Sequence, residues 1–146
     1  MNQRISIRKT RNVDAEEIYK LGKKISELAV SDRMQYYERD EVENFVKNSK
    51  GNIFLVALDN NIIIGSVYAK IISRHWCMCD SIMVHPKYRR KMIGNMLMER
   101  LFSILKKKRI NYVQGVSNLE NKRARKFLKS IGFCEGKKMV WMEKFL

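Results

Sequence analysis

Residues 84–94 read Val84-His85-Pro86-Lys87-Tyr88-Arg89-Arg90-Lys91-Met92-Ile93-Gly94. A β-rich stretch ends there, a short basic loop follows, and a helical pattern begins. The first backbone N–H groups of a helix have no partner inside it, and the helix dipole is positive at that end. Such a turn binds phosphate, and Arg89, Arg90 and Lys91 add charged donors, so a diphosphate ligand fits. Neither G-x-x-x-x-G-K-[ST] nor G-x-G-x-x-G occurs, which excludes the P-loop and the dinucleotide fingerprint. A second constellation is acidic and aromatic: Asp32, Tyr36, Tyr37, Glu38, Asp40 and Glu41. Aromatic faces attract ammonium groups and carboxylates pair with them, so this segment suits a cationic amine through Tyr36, Tyr37 and Glu38. Cys77, Cys79 and Cys134, with His75 and His85, have no metal-ligand spacing, so no metal is expected. Cys-x-Cys on one strand is a poor disulfide, which points to a reduced, cytoplasmic protein with the thiols as small buried side chains.

Several elements must position these groups. Ile5 and Ile7 alternate with polar residues as in a short strand. Asp14 stands as a helix cap with Glu17 in the capping-box place, and Ile18, Leu21, Ile25, Leu28 and Ala29 follow at helical spacing. A second helix is expected over 41–47. Residues 53–58 and 62–72 read as a hairpin around Asp59-Asn60-Asn61, and 76–84 as a third long strand ended by Pro86. Ile93, Leu97, Leu101, Ile104 and Leu105 form a helical stripe. A strand over 112–116, a basic helix over 122–131 stopped by Gly132, and two last strands at 133–134 and 139–145 complete the chain. The order β-α-α-β-β-β-α-β-α-β-β predicts an α+β fold, a mixed α/β sandwich, as one domain over 1–146.

The chain has 146 residues, 45% of them apolar, enough for a core. No apolar run approaches the ~18–20 residues of a membrane span, and no signal peptide is visible. The net charge is +15, and it is lopsided: residues 1–85 carry 13 basic and 11 acidic side chains, residues 86–146 carry 17 and 4. A basic half of this kind calls for an anionic partner: nucleic acid, a membrane surface or a phosphate-rich small molecule. The runs Lys106-Lys107-Lys108-Arg109 and Lys122-Arg123-x-Arg125-Lys126 favour the first, but no helix-turn-helix, RRM, KH or zinc-finger signature accompanies them.

The basic loop also resembles a known motif. Val84-x-Pro86-x-Tyr88-Arg89, followed by Ile93-Gly94 and a helix, is similar to the acyl-CoA-binding motif of the GNAT superfamily of N-acetyltransferases. Asn121-x-x-Ala124-x-x-Phe127-x-x-x-x-Gly132-Phe133 resembles that family's downstream helix and its Gly-Phe stop, and Ile7-Arg8-Lys9 with Asp14 to Ile18 resembles its opening strand and helix. The resemblance covers essentially the whole chain. It implies a mostly antiparallel, twisted central sheet of about six to seven strands with about four flanking helices and splayed middle strands. It also implies acetyl-CoA as cosubstrate and transfer to a primary amine: a protein N-terminus, a lysine, a peptide or a small amine.

The resemblance further assigns sites. The pantetheine arm would lie along Ile82, Met83 and Val84, and the diphosphate on Arg89, Arg90, Lys91, Met92, Ile93, Gly94 and Asn95. Asn121 and Arg125 would complete the cofactor contacts. Asp80 matches a carboxylate that serves as general base in several members, and acceptor choice would lie with Tyr36, Tyr37 and Glu38. Two departures stand out. Met92 replaces a glycine whose turn favours positive φ, so an altered turn is expected. Leu128 replaces a tyrosine that often protonates the leaving thiolate, with Tyr68, Tyr88 and Tyr112 as alternatives. A catalytically silent CoA-binding module and a nucleic-acid-binding module are the other readings of the same fold. A homodimer through the last two strands is compatible with all of them.

Overall fold

The computed structural model describes residues 4–146. Nine regular elements follow one another: β1 (Ile5–Lys9), α1 (Ala15–Lys23), α2 (Arg39–Lys47), β2 (Ile53–Asp59), β3 (Ile62–Ile71), β4 (Trp76–Val84), α3 (Ile93–Lys107), β5 (Tyr112–Gly115) and α4 (Lys122–Ser130). The five strands form one sheet in the order β1-β2-β3-β4-β5. The first four are antiparallel neighbours, and β5 joins β4 in parallel because α3 carries the chain back across the sheet.

Both faces of the sheet are covered, which is why every residue of β2 is buried. On one face Ile93, Leu97, Met98, Leu101 and Leu105 of α3 pack onto Leu55, Ala57, Val67, Cys77 and Cys79. On the other, Ile18 and Leu21 of α1 and Val42 and Val46 of α2 cover Phe54, Val56, Tyr68 and Met83. Gly65 lets α3 lie close, since a Cβ there would stand 2.9 Å from the Met83 carbonyl oxygen and 3.3 Å from Leu97. Burial pushes the Cys77 thiol up to about 11 and that of Cys79 up to about 12, so both stay protonated and act as small apolar side chains.

The mixed fold and its four helices agree with the sequence-based expectation, but the sheet has five strands instead of six to seven. Residues 133–134 and 139–145 form no strand, because β5 pairs with β4 alone and offers its outer edge to nothing among the described residues. Helix α1 also stops early, at Lys23, and a 3-10 turn over Ser26–Leu28 replaces the expected continuation through Ala29. Asp14 does precede α1, but its carboxylate is clamped by Arg8 at 2.7 and 2.9 Å and by the Arg11 N–H at 2.6 Å instead of capping with Glu17. Among the described residues no helix is long and apolar enough to cross a membrane.

Candidate functional site

The site grows from an irregularity in β4. Tyr68 faces Ser81 and Ala69 faces Cys79, so Asp80 is an extra residue, a β-bulge. The bulge switches the side-chain alternation. Before it, Cys77 and Cys79 point into the α3 core; after it, Ile82 and Val84 do, while Met83 joins the opposite core. The pairing of β4 with β5 ends at the same place, with Cys79 opposite Gly115. From Asp80 to Val84 the β5-facing edge of β4 therefore has no strand partner among the described residues, while its other edge stays bonded to β3. An open strand edge presents N–H and C=O groups to whatever enters the gap. Arg89 Nε reaches back to one of these carbonyls, that of Val84, at 3.3 Å.

The basic turn follows directly. A 3-10 turn over Pro86–Tyr88 is capped by His85, whose Nδ1 accepts from the Lys87 N–H at 3.2 Å. Arg89 has φ −64, whereas Arg90 and Met92 have φ 62 and 60. Backbone of alternating hand gathers successive N–H groups into a concavity suited to an anion, and here it opens into the first turn of α3. Met92 takes a left-handed conformation, φ 60, of the kind a glycine adopts without strain, and its side chain is 62% exposed. Gly94 serves packing, since a Cβ there would lie 3.0 Å from the Phe127 ring of α4. Arg90 and Lys91 make no ion pair among the described residues, while Arg89 lies 3.2 Å from Glu27.

Glu27 also binds Arg123 of α4 at 2.7 Å. A bond from its own backbone N–H, together with the two arginines, outweighs burial and holds the Glu27 carboxyl below its ordinary value. This bridge joins the segment after α1 to the basic turn and to α4. Beside it a cleft of about 480 Å³ is lined by Glu27, Asp32, Gln35, Asn118, Glu120 and Asn121, among others. Asn121 caps α4, its Oδ1 accepting from the Ala124 N–H at 3.0 Å. Arg125 is tied to Glu135 at 2.6 Å and to the Leu119 carbonyl at 3.0 Å.

On the opposite face of the bulge, Asp80 accepts a hydrogen bond from the Tyr37 hydroxyl and lies 3.4 Å from Lys70 Nζ. The Lys70 ammonium stands 5.9, 5.4 and 5.7 Å from the ring centres of Tyr37, Phe45 and Tyr68. These rings pack on one another, Tyr37 edge-on to Phe45 and Phe45 stacked on Tyr68. The result is an aromatic cage with a carboxylate at its mouth, and it already holds one ammonium. Burial raises the hydroxyls of Tyr36 and Tyr37 well above the ordinary tyrosine value, helped by the Asp80 charge for Tyr36 and by the hydrogen bond to Asp80 and its charge for Tyr37, so both remain protonated. Tyr36 is seated by Gly22, where a Cβ would come within 2.1 Å of its ring.

The structure therefore brings Asp80 together with Tyr37, 43 residues away, and places Tyr36 next to them. Glu38 stands instead at the N-cap of α2, exposed, with its backbone N–H bonding to Glu41 at 2.8 Å. Lys70 and Phe45 were not anticipated. Lys70 is the only charged residue in β3, and its register opposite Met78 sets it one hairpin away from Asp80. That lone charge on an apolar strand was the available signal.

Comparison with known proteins places this geometry. The family model described as the acetyltransferase (GNAT) family matches residues 10–133. The PaiA N-acetyltransferase from Thermoplasma acidophilum in complex with coenzyme A superposes with a TM-score of 0.80 at 22% identity, over 94% of each chain. The aminoglycoside N-acetyltransferase AAC(6')-Iy in complex with CoA gives 0.79 at 18% identity, over 99% of this chain and 97% of that one. The ribosomal-protein-S18-alanine N-acetyltransferase from Escherichia coli gives 0.75 at 17%, over 92% and 80%. No curated protein sequence matches significantly. With the family match spanning most of the chain and the fold shared along nearly its full length, the protein belongs to the GNAT family of acetyltransferases.

Proposed function

We propose that the protein transfers an acetyl group from acetyl-CoA to a primary amine, and that the amine is recognised as an ammonium at the Asp80 cage. The observation that carries this reading is the bulge at Asp80. It opens the edge of β4 on one side and sets a carboxylate against three aromatic rings on the other.

The residues present fit acetyl-CoA. The alternating-hand turn of Arg89, Arg90, Lys91 and Met92, with the first N–H groups of α3 at Ile93, Gly94 and Asn95, suits a diphosphate. The open edge along Ile82, Met83 and Val84 suits an amide-bearing arm, and Asn121 and Arg125, at the start of α4, are the residues we assign to complete the cofactor contacts. Acetyl-CoA supplies the activated acetyl thioester. The chain supplies the rest. Asp80 takes a proton from the incoming ammonium so that the amine can attack. Tyr37, bonded to Asp80, fixes the carboxylate. Unpaired N–H groups of the β4 edge are placed to stabilise negative charge on the carbonyl oxygen. A raised hydroxyl pKa keeps Tyr37 protonated and its bond to Asp80 intact, and the CoA sulfur departs as a thiolate, a competent leaving group near neutral pH.

The cleft of about 480 Å³ supports a cationic acceptor, since Asp32 and Glu120 line it without an ion-pair partner among the described residues. The test is release of CoA thiol with a panel of amines: a peptide beginning with alanine, a lysine peptide, a diamine and an aminoglycoside. At least one amine is expected to raise thiol release above background hydrolysis in the wild type and not in Asp80→Asn. No stimulation by any amine, despite saturable acetyl-CoA binding, would remove the transferase reading and leave a CoA-binding module.

A further inference from the structure

Lys70 is the only charged side chain of β3, and it stands inside the proposed acceptor site. Its Nζ lies 3.4 Å from the Asp80 carboxylate, and the ring centres of Phe45, Tyr68 and Tyr37 stand 5.4, 5.7 and 5.9 Å from it. The contact follows from register. Lys70 lies opposite Met78, so its side chain meets the residue two positions further along β4 on a diagonal. Tyr68 and Lys70, two apart on one strand, share a face, and Phe45 of α2 stacks over that face. No other lysine among the described residues is held this way. Lys91 lies over a single ring, that of Tyr88 at 5.2 Å, and has no carboxylate partner. Lys20, Lys47 and Lys129 pair with carboxylates on helix surfaces.

An ammonium held by a carboxylate and aromatic faces is the arrangement assigned above to the incoming amine, and Lys70 is a primary amine already in that place. Its side chain is 34% exposed, so the site is sheltered without being closed. The flexible four-carbon stem lets Nζ leave the carboxylate while β3 stays fixed. The open edge of β4 begins at the same bulge. A cosubstrate whose diphosphate sits at 89–95 enters that edge at Val84, and an arm laid from Val84 to Ile82 points its far end at Asp80.

We propose that Lys70 is itself an acetylation site, modified in cis by the chain that carries it. This inference rests on the acetyl-transfer reading. Asp80 takes a proton from the Lys70 ammonium, and the freed amine attacks the thioester carbonyl. A C–N bond forms, the C–S bond breaks, and the electron pair leaves on sulfur. Of the two protons that nitrogen loses, one goes to the thiolate and the other, through Asp80, to solvent. Nothing is oxidised or reduced. The tethered amine needs no encounter with a second molecule, which favours the transfer. The product is a neutral amide, so each chain does this once. Asp80 then loses its only ion-pair partner among the described residues, and the ammonium that competes for the cage is gone.

The test is incubation of the full chain with acetyl-CoA and no added amine, read by intact mass and by peptide mapping. The expected result is one acetyl group per chain, on Lys70, formed with a rate constant independent of protein concentration. Asp80→Asn should slow its formation about a hundredfold or more, and Lys70→Arg should remove it. The wild-type chain alone decides the site and the kinetic order, so the inference does not depend on either variant folding. An unmodified Lys70 overturns it. If an amine from the panel above is acetylated in a parallel sample, only this inference falls; if no amine is acetylated either, the transferase reading falls with it. Acetyl groups scattered over exposed lysines, equally in wild type and Asp80→Asn, mark uncatalysed acetylation and also overturn it. So does a rate constant that rises with protein concentration, which marks transfer between chains.

Discussion

Asp80 carries the proposed chemistry, and its two polar neighbours, Tyr37 and Lys70, act on it in different ways. Asp80→Asn keeps the shape but cannot accept a proton; a drop in kcat/KM on the order of 10²–10⁴ is expected, with acetyl-CoA affinity unchanged by calorimetry. Tyr37→Phe should cost less, because the carboxylate remains. Lys70 makes a distinctive contribution, since its ammonium already fills the cage that the acceptor needs. Lys70→Met removes that competitor, and the acceptor KM should fall by a factor of about 5, the equivalent of a ~1 kcal/mol cation–π contact. An unchanged or raised KM would show that Lys70 supports Asp80 instead of competing for it. Asp80 and Tyr37 were legible in the sequence as separate residues. Their contact was not, because it depends on a one-residue bulge that no local pattern announces. Glu38 illustrates the converse: an acidic residue beside two tyrosines reads as part of a binding surface, yet at that spacing from Glu41 it makes a capping box.

At the scale of elements, two helix ends adopt left-handed backbone without glycine. Met92 opens α3 with φ 60, and Arg109 follows its end with φ 60. The second is a Schellman ending: the Arg109 N–H bonds to Lys106 and the Ile110 N–H to Leu105, both at 3.0 Å. Left-handed backbone costs a non-glycine residue roughly 1–2 kcal/mol, partly offset by the greater unfolded freedom of glycine. Met92→Gly and Arg109→Gly should therefore each stabilise the fold by about 0.5–1 kcal/mol in denaturant melts. Neither is expected to abolish acetyl-CoA binding, and a destabilised Met92→Gly would contradict the strain argument. Gly22→Val acts in the opposite way, since it pushes the Tyr36 ring off α1 and should raise the acceptor KM without altering cofactor affinity. Periodicity located α3, α4 and the β2–β3 hairpin well, because their apolar faces follow one period from end to end. It extended α1 too far, because Ile25 is buried from a 3-10 turn at nearly helical spacing. It also read the arm at 139–145 as a strand, which its composition allows but this structure gives no partner.

For the whole molecule, charge organises both stability and binding. The buried Asp14 carboxylate resists its burial through Arg8 and the Arg11 N–H, which together hold it below its ordinary value. A lowered folded-state value means that the stabilisation is present above the unfolded carboxyl range, near pH 4, and is lost as pH falls through the folded value. Arg8→Ala should cost about 3 kcal/mol at neutral pH by stranding that charge, and the gap from wild type should narrow in acid melts as Asp14 protonates. The family motif and the +13 half were readable from the residues alone, and they converge on the turn at Arg89 to Gly94. The most direct measurement is therefore a calorimetric titration of acetyl-CoA at low and at high salt, with Arg90→Ala/Lys91→Ala alongside. One molecule bound per chain at both salts, weakened about tenfold or more by the double substitution, is the expected result, two charged contacts being worth roughly 1.5 kcal/mol or more. No saturable binding, or binding that the double substitution leaves intact, would contradict the assignment of that turn.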